Sequence, residues 1–263
     1  MIRLESVDVV FGSGTPDERR VLDSLFLAVP KGQHVSVIGS NGAGKTTLLN
    51  AIAGSVPLSN GRILIDGVDQ SRLPEWKRAR YVGRVRQDPL AGTAGDMTVL
   101  DNLALASRKG HRRLRIAVPV RLRRELRDRL SELGMGLEDR LRENVNRLSG
   151  GQRQALTLLM ASVSRPAVLL LDEHTAALDP RNAELVSELT RRFVAEYGLT
   201  ALAVTHDMRR AIDEGDRLIM MHEGTIVADV AGDAKKGLTV ERLVELFRRT
   251  RGGDYAEDRD LLS

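Results

Sequence analysis

The chain has 263 residues, 42% of them hydrophobic, a net charge of +4 at neutral pH and no cysteine. That length and apolar content suffice to bury a core in one large domain or two lobes, which excludes a tail or a mini-protein. The lack of cysteine excludes disulfides and thiolate metal centres, and the modest positive charge admits an anionic partner without requiring one.

The N-terminus enters an alternating strand pattern at once, from Ile2 to Val10, and contains nothing like a signal peptide. Leu25 to Val29 alternate in the same way, and Pro30-Lys31-Gly32 turns the chain into a continuous apolar run, His34 to Ile38, read as a buried strand. Next comes Gly39-Ser40-Asn41-Gly42-Ala43-Gly44-Lys45-Thr46-Thr47, and then an apolar helical stretch from Thr47 to Ala53. Strand, glycine loop and helix stand in the order of a phosphate-binding loop, G-x-x-x-x-G-K-[ST]. Its glycines let successive N–H groups turn inward onto phosphate oxygens, and the helix N-terminus favours the same anion. Lys45 brings a full charge to the β and γ phosphates, and Thr46 a hydroxyl for Mg²⁺.

Ile63 to Ile65, followed by Asp66-Gly67, adds a strand and turn, and with the earlier alternating strands predicts an antiparallel β layer beside the nucleotide strand. Phe11 follows the first strand in a chain with only 3% aromatic residues; it is either an adenine-stacking ring or a core residue.

After Gln87-Asp88-Pro89 the texture becomes helical, from Met97 to Gly134, with Leu122, Leu126, Leu130 and Leu133 on one stripe and Gly134 closing it. This predicts a helical lobe inserted into an α/β core. Its basic residues, Arg108, Lys109, Arg112, Arg113, Arg115, Arg121, Arg123, Arg124, Arg127 and Arg129, fit a solvated face, an anionic lipid or acidic partner surface, or nucleic acid. No aromatic residue interleaves with them, which argues against base stacking, and no nucleic-acid partner is expected. Ser149, Gly150, Gly151 and Gln152 then open a helix and form a second anion cradle, without a lysine. One complete and one incomplete phosphate site in a chain point to the incomplete site serving a nucleotide held by another copy.

Ala167 to Leu171 reads as a doubly buried parallel strand ending in Asp172-Glu173, at the sheet edge where α/β folds bind ligands. Asp172 is placed to hold Mg²⁺, and Glu173 to orient or deprotonate the attacking water. Asp179-Pro180 caps a helix with Leu185, Leu189, Phe193 and Tyr197 on one face, closed by Gly198. The strand Thr200 to Thr205 delivers His206 to the same edge, where its imidazole can reach the γ-phosphate. Leu218 to Met221 and Thr225 to Val230 read as a hairpin, Thr239 as the cap of a last helix, and 251–263 as a flexible tail. The longest apolar stretches, Ala155 to Val163 and Ala167 to Leu171, are too short to cross a bilayer.

These residues together resemble the ATP-binding subunit of an ABC transporter: the loop Gly39 to Thr46, Gln87, the Leu148 to Gln152 signature, Asp172-Glu173, Ala177-Leu178-Asp179 and His206, in that order, across nearly the whole chain. The resemblance implies a P-loop NTPase core with a mostly parallel sheet (1–88 and 165–235, with an antiparallel β subdomain), a helical subdomain over 89–164, and one ABC domain over 1–250. By that resemblance Gln87 joins the Mg²⁺ shell and the hydrolytic site and links nucleotide state to the membrane partner, Ser149 and Gly151 contact the γ-phosphate across a head-to-tail dimer, and Asp179 belongs to the dimer contact. ATP and Mg²⁺ are the implied cofactors. The implied partners are a second ATP-binding subunit, identical or not, an integral permease and, indirectly, a solute-binding protein, at the cytoplasmic face of the membrane.

Two features depart from the common family pattern. His174-Thr175-Ala176-Ala177 stands where Pro-Thr-Ser-Ala is usual, and Phe11 where tyrosine is more frequent. The segment Asp172 to Pro180, with Leu218 to Gly224, is similar to a narrower group of bacterial importer ATPases loosely associated with amino-acid-type substrates. A soluble ABC ATPase acting in assembly or on nucleic acid would carry the same motifs.

Overall fold

The computed structural model describes residues 1–107 and 118–250, with side chains as far as Arg248. Arg108, Lys109, Arg112, Arg113 and Arg115, and the tail 251–263, lie outside the described residues. The alternating N-terminal runs form β1 (Ile2–Phe11) and β2 (Arg19–Val29), and the apolar run forms β3 (His34–Gly39), buried along its whole length. Phe11 closes β1 instead of following it. Helix α1 (Lys45–Ala53) starts directly after Gly44, two residues before the sequence placed it.

The hairpin β4 (Asn60–Ile65) and β5 (Val68–Asp69) joins β1 and β2 in an antiparallel sheet of order β2-β1-β4-β5. A short α2 (Glu75–Arg78) leads into β6 (Val82–Val85). Arg78 is fully buried, and its guanidinium donates to the carbonyls of Ala51 (2.6 Å), Ile52 (3.1 Å), Ser71 (3.0 Å) and Leu73 (2.9 Å). A cation against the last carbonyls of α1 satisfies acceptors that the helix cannot and complements its dipole, so the far end of the phosphate helix is pinned.

The helical region contains α3 (Val99–Ala106), α4 (Val120–Ser131) and α5 (Gly150–Val163). The leucine stripe is observed with one difference: α4 stops at Ser131, and Leu133 reaches the core from the following turn, before Gly134 at φ +64°. The opposite face exposes Arg121, Arg123 and Arg124, while Arg127 pairs with Asp139 at 2.6 Å and Arg129 with Glu132 at 3.1 Å. Strand β7 (Val168–Asp172) is fully buried; α6 (Pro180–Tyr197) follows, capped by Asp179 and ended by Gly198 in the left-handed region. Then come β8 (Thr200–Val204), α7 (Met208–Asp213), the hairpin β9 (Arg217–His222) and β10 (Thr225–Ala231), α8 (Gly232–Lys236) and α9 (Val240–Thr250).

The second sheet has the order β10-β9-β3-β8-β7-β6, parallel throughout except for the β9–β10 hairpin. The fold is therefore α/β, with an antiparallel sheet beside a mostly parallel one and a helical region, as the sequence predicts. Three apolar clusters share the parallel sheet among the described residues: one joins it to the antiparallel sheet around α1, one to α3, α4, α5 and α6, and one joins β3 and β9 to α7 and α9. This layering brings the C-terminal ends of β3, β7 and β8 side by side, which is where a crossover sheet leaves a crevice for ligands.

Candidate nucleotide-binding site

The loop between β3 and α1 has the conformation its glycines allow. Gly39 has φ +151°, and a Cβ there would stand 2.2 Å from the Met221 carbonyl oxygen; Gly44 has φ +96°, with Val21 O only 2.9 Å from the same virtual atom. Neither position admits a side chain. Lys45, buried, donates from Nζ to the carbonyls of Gly39 (2.6 Å) and Ser40 (3.0 Å), so its ammonium is folded back across the loop. Burial lowers the Lys45 pKa from its usual value, opposed by the nearby carboxylates of Glu173 and Asp172.

The sheet edge completes the site. Thr46 Oγ1 lies 3.3 Å from Oδ1 of Asp172, and the other carboxylate oxygen of Asp172 accepts from Arg84 at 3.1 Å. His206 reaches Glu173 with Nε2 against Oε1. Glu173 has φ +48°, an unfavourable conformation for a residue with a Cβ, and its N–H donates to Val204 O at 3.0 Å. The first turn after β7 thus holds the carboxylate against the end of β8.

An open cleft of about 520 Å³ is lined by Asn41 to Thr47, Glu173 and His206, with Phe11, Asp17, Arg19 and Val21 on the antiparallel-sheet side. Phe11 is 45% exposed and pairs in register with Arg19, so its ring is a wall of the cleft and not a core residue. Gly39 ends β3 and Ser40 begins the loop; both are buried and neither lines the cleft.

Other predicted residues lie elsewhere. Gln87 is exposed in the loop after β6 and does not line the cleft. Ser149 caps α5, accepting from Gln152 N at 3.3 Å while Gln152 Oε1 accepts from Ser149 N at 3.2 Å, a reciprocal capping box. Ser149 and Gly150 are exposed; Gly151 is buried against Asn182, whose side chain would lie 2.5 Å from a Cβ. Asp179 caps α6 and binds Asn182 at 2.6 Å, so the signature and the Asp179 loop adjoin each other and neither lines the cleft.

Four residues have roles that the sequence did not reveal. Arg19 and Asp17 line the cleft from a connection with no motif of its own. Arg84 sits beside Asp172, hidden in a strand that reads as ordinary. Gln154, fully buried, donates its amide to the carbonyls of Arg86 (3.2 Å) and His174 (2.7 Å), tying α5 to the start of the Gln87 loop and to the turn after Glu173. A glutamine on the buried face of α5, beside Ala155, Leu158 and Leu159, was its only signal.

The donor set suits a hard cation. Thr46 and Asp172 offer oxygen only, and no cluster of three or more His, Cys, Asp or Glu exists among the described residues to cage a metal by protein alone. That is the pattern of Mg²⁺ held by one carboxylate and a hydroxyl with the phosphates of its nucleotide.

The chain is 43% identical over 248 residues to the tyrosine transport ATP-binding protein of Clostridioides difficile (strain R20291), covering 94% of this chain and 98% of that one. It is 38% identical over 231 residues to the Fe(3+) ions import ATP-binding protein FbpC of Streptomyces coelicolor, covering 86% of this chain and 60% of that longer protein. It is 34% identical over 233 residues to the methionine import ATP-binding protein MetN 2 of Rhodococcus jostii, covering 86% of this chain and 65% of the relative. Among solved structures, the dimeric ATP-binding cassette MJ0796 bound to ADP and Pi superposes with a TM-score of 0.74 at 27% identity, over 88% of this chain and 98% of that one. Residues 22–176 match the ABC transporter family, and the chain belongs to it as a nucleotide-binding cassette that binds and hydrolyses ATP.

Proposed function

We propose that the chain is the ATP-hydrolysing subunit of an importer, working as a dimer on a separate membrane permease, with amino acids or related small solutes as cargo. The observation that carries the reading is the division of the site: loop, Asp172, Glu173 and His206 converge on one cleft, while Ser149 and Gly150 stand exposed away from it. A second copy turned head to tail supplies what the cleft lacks. The dimeric MJ0796 cassette and the relatives named for import support this arrangement, and the tyrosine transport relative supports the cargo class. Among the described residues no helix is long and apolar enough to cross a membrane, and the relatives named as ATP-binding proteins of transport and import systems support a separate permease.

In the dimer, loop amides and Lys45 bind the β and γ phosphates, Phe11 stacks on the adenine, and Ser149 and Gly151 of the partner copy close on the γ-phosphate. Thr46 and Asp172 would hold Mg²⁺, which would neutralise charge developing on the phosphates in the transition state. Glu173 takes a proton from the attacking water, oriented by His206. Gln87 relays the state of the site to the permease, and product release reopens the dimer.

Two measurements test this. Sedimentation of the Glu173→Gln chain should show a dimer with Mg-ATP and a monomer without it, and a monomer in both overturns the sandwich. Cells carrying that variant as their only copy should lose uptake of a labelled amino acid from a panel that includes tyrosine. Unchanged uptake of the whole panel overturns the cargo class while leaving the ATP site intact.

A further inference from the structure

Arg84 stands on β6, level with Leu170 of the neighbouring parallel strand β7, and its side chain is only 12% exposed. One guanidinium nitrogen donates to Asp172 Oδ2 at 3.1 Å; Nε and the other nitrogen are buried without a hydrogen-bond partner. A buried charge with two unsatisfied donors is costly, and its compensation is the ion pair with Asp172. The same strand buries Val82 and Val85, so Arg84 is the charged residue among buried apolar ones.

The carboxylate it holds is the one through which the proposed function assigns Mg²⁺. Asp172 is engaged at both oxygens, Oδ1 near the Thr46 hydroxyl and Oδ2 at Arg84, with Glu173 next in the chain and Lys45 as the second cation felt by both acids. Without a cation, two adjacent carboxylates at a buried edge would repel each other. With a fixed guanidinium 3.1 Å from one oxygen, an arriving divalent ion meets a carboxylate already partly neutralised and a like charge nearby.

We propose that Arg84 is a tethered counter-cation of the metal site: a positioning residue that holds Asp172 when no metal is bound and raises the Mg²⁺ concentration at which nucleotide is held tightly. The inference rests on the assignment of Mg²⁺ to Asp172. It extends that assignment to a side chain that does not line the cleft, and it gives the cassette a metal requirement set by its own sequence.

The test is binding, not turnover. Trinitrophenyl-ATP fluorescence is titrated at increasing Mg²⁺ for wild type, Arg84→Met, Arg84→Gln and Arg84→Lys, and bound Mn²⁺ is counted by electron paramagnetic resonance. Removing the charge should lower the Mg²⁺ midpoint about tenfold, lysine should stay near wild type, and binding in EDTA should not change. Arg84→Gln keeps a polar head and serves where the methionine chain does not fold. A midpoint in both neutral variants equal to or above wild type overturns the inference. Asp172→Asn separates the two claims: if it loses Mn²⁺ while the Arg84 variants keep the wild-type midpoint, only the counter-cation fails; if it keeps Mn²⁺, the metal assignment fails as well.

Discussion

Nε2 of His206 meets Oε1 of Glu173 where the ends of β7 and β8 lie side by side, and both residues line the phosphate cleft. The contact fixes a carboxylate whose backbone is already held in an unfavourable conformation, at φ +48°, by a hydrogen bond to Val204. Conformation and contact together hold the Glu173 carboxylate at the wall of the cleft, the position that the proposed role in activating water requires.

Glu173→Gln should keep ATP affinity and lose nearly all turnover, because the amide fills the same volume and takes no proton. His206→Ala should lower kcat by roughly 10²-fold or more with a smaller change in KM, since it releases the orientation of Glu173 rather than the nucleotide. Phosphate release at saturating ATP measures both. Wild-type turnover in Glu173→Gln would remove Glu173 from the mechanism.

Lys45 is held inside the loop by two backbone carbonyls, at the wall of the cleft that the proposed function gives to phosphate. Lys45→Ala should weaken ATP binding at least about tenfold, through loss of a charge-assisted contact in a partly dehydrated site. Equilibrium titration with ATP checks this, and an unchanged affinity counts against the loop as the phosphate site.

Much of this architecture was legible because local chemistry decided it. The glycines at 39 and 44 admit no Cβ, Ser149 and Asp179 cap the helices that follow them, and β7 is an unbroken apolar run ending in acid. Residues whose role depends on a partner far along the chain were not legible. Arg84 is 88 positions from Asp172 and Gln154 is 68 from Arg86, and neither carries a mark in its own neighbourhood. The end of α4 was misread by a few residues because Leu133 keeps the stripe's spacing from a turn beyond the helix.

Gln154 ties three functional segments with one amide, and its removal strands two carbonyls in the interior. Gln154→Leu should therefore cost about 2–3 kcal/mol of stability, measurable by urea unfolding. It should also depress turnover, because the turn after Glu173 loses its tether to α5. A variant with full stability and full activity would show that the two carbonyls find other partners.

The cassette should also weaken in mild acid, for a reason located at two buried histidines. Burial pushes His34 down to about 4 and His174 to about 3. Thr190 spends its hydroxyl hydrogen on Val186 O at 2.8 Å, so the 3.1 Å contact from His174 Nε2 makes that nitrogen the donor, and His174 is neutral with its proton there. Both groups bind protons more readily unfolded, near 6.5, than folded. Their stability is then complete above about pH 6.5, falls as pH drops below it, and stops falling near the folded values, at a slope of about 1.4 kcal/mol per pH unit per histidine. His174→Gln keeps an amide donor for Thr190 and does not titrate. Its unfolding free energy from urea titration should change less than that of wild type between pH 7.5 and 5, by about 2 kcal/mol. Parallel curves for the two proteins would place the acid sensitivity elsewhere.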